Sequence, residues 1–133
     1  MDIEGLGDVV VEVAEEVIQP WAQAIAEEMG VTLTRTGFSP NIKERRDHST
    51  AICDPEGRLI VQAEHSLPIH LASMIGMMAS IRAKVPLEEI AEGDLFVLND
   101  PYLGGTHLPD VTIMKPIFYD GSLQFIAINR AHH

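Results

Sequence analysis

The sequence predicts an α+β domain, and three observations predict it. An apolar stripe at helical spacing occupies the first quarter of the chain; paired apolar runs then flank two separate turn signals; and a second helical stretch lies between those pairs. Val10, Val13, Val17, Trp21, Ala24, Ile25 and Met29 recur three and four residues apart, so one face of an N-terminal helix is apolar. Asp8 is placed to cap it, Pro20 to kink or divide it, and Gly30 to stop it. Glu12, Glu15, Glu16, Glu27 and Glu28 fall on its opposite, solvated face.

From Ser49 the period shortens. Ala51-Ile52-Cys53 and Leu59-Ile60-Val61 flank Asp54-Pro55-Glu56-Gly57, the pattern of a β-hairpin. Leu71, Ile75, Met78 and Val85 return to helical spacing between Pro68 and Pro86, which gives a second helix. Leu95 to Leu98 forms a short strand, and Val111 to Tyr119 and Leu123 to Asn129 flank Asp120-Gly121, a tight-turn dipeptide. Mainly antiparallel strands follow from this order. Without repeats, low-complexity tracts or Ser/Gly linkers, residues 1–133 read as a single domain. The chain stops at His133 directly after an apolar strand, so this domain reads as unfinished there, with its last strand edge unpaired.

Composition narrows the function classes. Nine Lys and Arg against twenty Asp and Glu give a formal charge of -11, which repels a nucleic-acid backbone and an anionic lipid surface. No apolar run approaches the roughly 18 residues that span a bilayer, and Met1-Asp2-Ile3-Glu4 lacks a basic leader segment. Neither nucleic acid nor a membrane is expected as a partner. Cys53 is the one cysteine, which suits a reducing cytoplasmic setting and a packing role for the thiol.

The chemistry-bearing residues gather in the later part of the chain. His48, His65, His70, His107, His132 and His133 all follow the first helix. In Gly104-Gly105-Thr106-His107-Leu108-Pro109-Asp110, paired glycines precede an imidazole and a carboxylate three apart. Such a mixed N/O pair suits Mn²⁺, Fe²⁺ or Zn²⁺. Counting outward from Asp120-Gly121, Asn129 to His133 falls roughly opposite Val111 to Thr106, so His132 or His133 is brought back as a third donor. The competing reading makes His107 a loop cap, Asp110 an Asx-turn residue and the terminal His pair a solvated end.

Three further segments carry secondary readings. Asn41-Ile42-Lys43-Glu44-Arg45-Arg46-Asp47 is a charged run of the kind that is usually solvated; turned inward, Glu44 becomes a fourth metal donor and Arg45 or Arg46 an anion clamp. His65 and His70 at the second helix are placed to support ligands, with Glu64 or Asp100 holding an imidazole nitrogen. Asn99-Asp100-Pro101 is a turn initiator. Gly104-Gly105 lacks the Lys and Ser/Thr of a phosphate loop, so any nucleotide binds elsewhere.

Taken together, EEMGVTL at 27–33, SPNIKERRD at 39–47, Pro68-Ile69-His70-Leu71, Gly93-Asp94, NDPYLGGTHLPD at 99–110 and NRAHH at 129–133 resemble the hydantoinase B and 5-oxoprolinase family, which includes N-methylhydantoinase B and the alpha subunits of acetone carboxylases. The resemblance runs from about Val9 to the end and implies part of a B-type subunit in a cytoplasmic hetero-oligomer. A hydantoinase A-like partner subunit or domain binds ATP, and the B-type subunit carries the metal-centred step on a small cyclic amide or ketone. It further implies a divalent metal, Mn before Zn or Fe, on His107, Asp110 and a terminal histidine, His133 ahead of His132, with Glu44 as a lesser candidate. His107 and Asp110 are then the catalytic pair. The implied activity is hydrolysis of a cyclic amide C–N bond in a hydantoin or 5-oxoproline; the alternatives are ketone carboxylation and a chain that is inactive alone and serves as a binding or structural module.

Overall fold

A computed structural model describes residues 14–133, with side chains from Glu16 onward. A π-helical turn at Ala14–Ile18 runs into α1 (Gln19–Thr36), followed by the single turn α2 (Pro40–Lys43) and α3 (Pro68–Lys84). The strands are β1 (His48–Cys53), β2 (Leu59–Gln62), β3 (Phe96–Leu98), β4 (Asp110–Tyr119) and β5 (Ser122–His132). They form one sheet in the order β2-β1-β5-β4-β3, with every pairing antiparallel. The α+β class follows the sequence.

The first helix departs from its sequence reading. Gly30 does not end it: α1 continues to Thr36, and Gly30 is buried beside the His48 and Thr50 side chains. Ala26 is buried one turn earlier, its carbonyl accepting the Thr50 hydroxyl at 2.8 Å. Two small residues thus let the helix lie close on a polar part of the sheet, and a large side chain at either position would push the two apart. The apolar stripe is correspondingly exposed at Val17, Trp21 and Ile25. Pro20 is the second residue of α1, where its missing N–H falls at the π-to-α change, the irregularity it marks. Glu27 is half-buried rather than solvated, accepting from the Gln23 amide at 3.0 Å and from the Glu64 N–H. Asp8, Val10, Glu12 and Val13 lie outside the described residues, as does the Glu15 side chain.

The core lies on the other face of the sheet. Met74 and Met78 of α3 pack on Ala51, Cys53, Met114, Ile126 and Ile128, with Leu71, Ile81 and Phe96 at the edge. The unbranched thioethers fill the space between a helix and the small residues of β1. Both hairpins form where their turn residues place them. Gly57 N–H closes on the Asp54 carbonyl at 2.9 Å, and Asp120 and Gly121 have φ of 49° and 74°, the paired left-handed geometry of a tight hairpin turn.

The β4–β5 register differs by one residue from an unbroken count outward from Tyr119 and Ser122. A bulge between Ile117 and Phe118 shifts it, so that Asn129 faces Ile113 and His132 faces Asp110. The expected free edge of the last strand is absent, because β5 lies between β1 and β4, with Ser49 opposite Arg130. Burial drives the Cys53 thiol up to about 11, with Asp54 adding to the effect. At pH 8 only about one such thiol in a thousand is ionised. Iodoacetamide is therefore expected to label the native chain at least about a hundredfold more slowly than the unfolded chain, with the native rate climbing toward pH 11; equal rates would contradict this packing.

Candidate metal centre

Asp110 is the first residue of β4 and His132 the last of β5, and the ladder pairs them directly. Residues facing one another in this way project to the same side of the sheet. His132 Nδ1 lies 3.5 Å from Asp110 Oδ1, and His107 Nδ1 lies 3.3 Å from Asp110 Oδ2. The two imidazoles meet edge to face with ring centroids 4.8 Å apart. Asp110 is 2% exposed, whereas His107 is half-exposed and His132 partly so. The group is therefore anchored by a buried carboxylate and open to solvent on its imidazole side.

Asp47 and His70 extend this cluster. His70 Nε2 lies 3.7 Å from both Asp110 Oδ2 and Asp47 Oδ1, and His132 Nδ1 lies 3.8 Å from Asp47 Oδ2. On the far side of its ring, His70 Nδ1 is 3.0 Å from Ser49 Oγ, which itself accepts the Leu67 N–H at 2.8 Å. Ser49 thus has its own proton to give to Nδ1, an arrangement that favours the remaining ring proton on Nε2, toward the carboxylates. Burial lowers the His70 pKa from its ordinary value, with Asp110 and Asp47 pulling it back. Burial likewise lowers that of His48, assisted by Arg46.

The loop that carries His107 is pressed onto α3. Gly104 has a φ of 94°, and a Cβ there would stand 2.6 Å from the Met77 backbone nitrogen. A Cβ at Gly105 would stand 2.7 Å from the Asp100 carbonyl oxygen. Only glycines fit this approach. Asp110 N–H then closes on the His107 carbonyl at 3.0 Å, and the Thr106 hydroxyl donates to Asp110 Oδ2. Asp110 Oδ1 is left buried without a hydrogen-bond partner.

That orphaned oxygen is the observation against which a cation can be tested. Buried carboxylate oxygens ordinarily find a donor, and one that faces an imidazole without bonding to it is placed for a positive charge. The ligating atoms of His107, Asp110 and His132 lie within 4.8 Å of one another. Donors bound at about 2.1 Å to one ion stand at most about 4.2 Å apart, and about 3.4 Å apart in a tetrahedral set, so side-chain rotations that move these atoms by about 1 Å close the set. Two imidazole nitrogens with one carboxylate, and the Asp47 carboxylate beside them, suit a borderline divalent ion. The residues fit.

Comparison with known proteins decides the family. Residues 12–133 match Hydantoinase B/oxoprolinase. The chain belongs to that family. It is 48% identical over 120 residues to an uncharacterised protein of Methanocaldococcus jannaschii, covering 89% of this chain and 21% of that one. It is 45% identical over 111 residues to 5-oxoprolinase 1 of Arabidopsis thaliana, covering 82% of this chain and 8% of that one. The crystal structure of ATP-dependent caprolactamase from Pseudomonas jessenii superposes with a TM-score of 0.71 at 33% identity, over 86% of this chain and 20% of the other. A nucleotide-free acetone carboxylase structure matches with a TM-score of 0.73 at 20% identity, over 91% and 17%, which shows a shared fold. The chain thus spans about a fifth or less of the length of these relatives. Among the described residues, no helix is long and apolar enough to cross a membrane.

In this hydantoinase B/oxoprolinase chain the sequence-derived donors are not all brought together. His107, Asp110 and His132 converge. His133 does not join them: the strand alternation turns it to the opposite side, where Nδ1–H donates to the Pro109 carbonyl at 2.8 Å. Glu44 caps α2, exposed, with its N–H on the Pro40 carbonyl. The carboxylate of that charged run that reaches the cluster is Asp47, whose carbonyl accepts the His132 N–H at 3.0 Å. The carboxylates facing His70 are likewise Asp47 and Asp110; Asp100 instead caps its own turn by accepting the Tyr102 N–H, and Glu64 is exposed. No signal within the charged run singled out Asp47, because its approach depends on the pairing of β1 with β5.

The glycine contacts yield a paired test. Gly93 also has a positive φ, of 97°, but nothing stands within 4 Å of its Cβ position. Gly93→Ala is expected to cost only the left-handed strain of about 1–2 kcal/mol and to leave divalent-ion affinity unchanged. Gly104→Ala is expected to displace the loop and weaken Mn²⁺ binding by at least about tenfold in calorimetric titration. Equal affinities in the two variants would contradict the pressed-loop account.

Proposed function

We propose that this chain carries the divalent-metal centre of an ATP-dependent enzyme that hydrolyses a cyclic amide such as a hydantoin, a lactam or 5-oxoproline. The observation that carries this reading is the buried Asp110 carboxylate between His107 and His132, whose Oδ1 faces His132 without a hydrogen-bond partner. Family membership and the likeness to 5-oxoprolinase and ATP-dependent caprolactamase supply the reaction class. Nucleotide binding falls to a hydantoinase A-like partner subunit or domain in the cytoplasm, since the Gly104-Gly105 loop is filled by its contacts with α3 and Asp100.

His107, Asp110 and His132 are the proposed ligands, Asp47 a fourth donor, and Mn²⁺ the preferred ion ahead of Zn²⁺ and Fe²⁺. Bound there, the ion supplies Lewis-acid polarisation of a carbonyl oxygen and lowers the pKa of water toward neutrality. The protein residues do the rest. Asp110 sets the geometry because its backbone is held in the ladder and its carboxylate is buried. His70, steadied by Ser49, presents Nε2 to both carboxylates and restrains their rotation. The half-exposed His107 edge leaves the approach open for substrate. Phosphorylation of the amide oxygen by the partner would convert a poor leaving oxygen into a good one.

Metal analysis tests the centre. The purified chain reconstituted with Mn²⁺ is expected to retain about one equivalent after desalting, with at least about tenfold weaker binding in His107→Ala, Asp110→Asn and His132→Ala. His133→Ala should bind as the parent does. Retention below a tenth of an equivalent, or equal retention in all four variants, would remove the proposal. A longer form with its nucleotide-binding partner tests the reaction: ADP release dependent on hydantoin or 5-oxoproline supports hydrolysis. Release dependent on a ketone with bicarbonate would replace it with carboxylation, and silence on both would leave a metal-binding module.

A further inference from the structure

A second cleft, on the opposite side of the Arg46–His48 turn from the metal centre, is not used by that reading. It has a volume of about 300 Å³ and opens between α1 and the start of β1, at the small end of the range of ligand pockets of about 300–1,000 Å³. Its polar lining can be sorted by hydrogen-bonding capacity. Glu27 accepts the Gln23 amide and the Glu64 N–H, both on Oε1. Ser66 Oγ bonds to both the N–H and the carbonyl of Thr50, at 3.2 and 3.1 Å. Thr34 Oγ1 donates to the Gly30 carbonyl at 3.0 Å and meets His48 Nε2 at 2.7 Å. The polar lining side chains that make no hydrogen bond among the described residues are Arg35, Arg46 and His65.

Neither Arg35 nor Arg46 enters an ion pair among the described residues. Arg46 is moreover held at a φ of 54°, a left-handed conformation that a non-glycine residue adopts at a cost of about 1–2 kcal/mol. Hydrogen bonds from Asp47 N–H to the Asn41 carbonyl at 2.9 Å and from His48 N–H to the Arg46 carbonyl at 2.8 Å maintain it. The turn therefore sends Asp47 toward His70 and His132 and Arg46 into the cleft. Two unpaired guanidiniums in a chain with a formal charge of -11 make a local cationic site on a background that repels large polyanions.

We propose that this cleft binds a small oxyanion, a phosphate or carboxylate group, gripped by Arg35 and Arg46 with His65 as a further donor. The group is carried by a free anion or by a small substrate, and the site stands whether or not the neighbouring centre holds a metal. Its occupation would fix the turn that aims Asp47.

The test is a backbone-amide NMR titration of the EDTA-treated 133-residue chain at constant ionic strength, with inorganic phosphate and, separately, acetate. Saturable shifts at Thr34, Arg35, Arg46, His48 and His65 are expected, with a Kd on the order of 1 mM. Arg35→Ala and Arg46→Ala should each weaken binding at least about tenfold, while Arg58→Ala, far from the cleft, should not. Phosphate binding at least about tenfold tighter than acetate assigns a phosphoryl group, and similar or reversed affinities assign a carboxylate. Non-saturating shifts in the parent chain up to about 50 mM, or saturable shifts that survive Arg46→Ala unchanged, would overturn the proposal. The parent titration requires no variant to fold. Phosphate binding retained in His107→Ala separates this site from the metal centre.

Discussion

The antiparallel pairing of β4 with β5 sets Asp110 opposite His132, and the candidate centre depends on it. Side chains alternate faces along a strand, so a slip of one residue would turn His132 away and bring His133 in. The bulge at Ile117/Phe118 sets His132 rather than Ala131 opposite Asp110, and the Asp120-Gly121 turn starts the count. Because β5 also pairs with β1 from Ile126 to Ala131, the register near the centre is held from both sides.

Two residues before His132, Arg130 locks the sheet to α3. Its side chain is fully buried, donating through Nε to Thr112 at 2.7 Å and through its other nitrogens to Ser73 Oγ and Met77 Sδ. Burial lowers its pKa from the ordinary value, and the Asp110 charge opposes that. A buried guanidinium on one side and a buried carboxylate on the other offset part of each other's desolvation. The centre thereby tolerates an under-satisfied Asp110, which in an apolar wall would be far more costly.

Local signals made much of this legible. Asp54 to Gly57, Asp120-Gly121, Pro68 and Pro86 each act within a few residues, and the two hairpins and α3 appear where these residues place them. The family motifs named His107 and Asp110, which the structure places together. Non-local packing hid the rest. Nothing in Ser49–Cys53 announces that it pairs with β5, so neither the central position of β5 nor the approach of Asp47 followed from the residues. A stripe of large apolar residues marked one face of α1, yet the helix meets the sheet through Ala26 and Gly30 because the contact requires closeness rather than bulk. Glu44, the donor the charged run suggested, sits at the α2 cap, whereas Asp47 reaches the cluster because the left-handed Arg46 redirects the chain between them.

The most direct measurement of the account is an anomalous difference map at the manganese absorption edge, from crystals of this chain grown with Mn²⁺. The expected result is one peak within bonding distance of His107, Asp110 and His132, with Asp47 beside it and His133 still on the Pro109 carbonyl. A peak coordinated by His133, or no peak at Asp110, would contradict it.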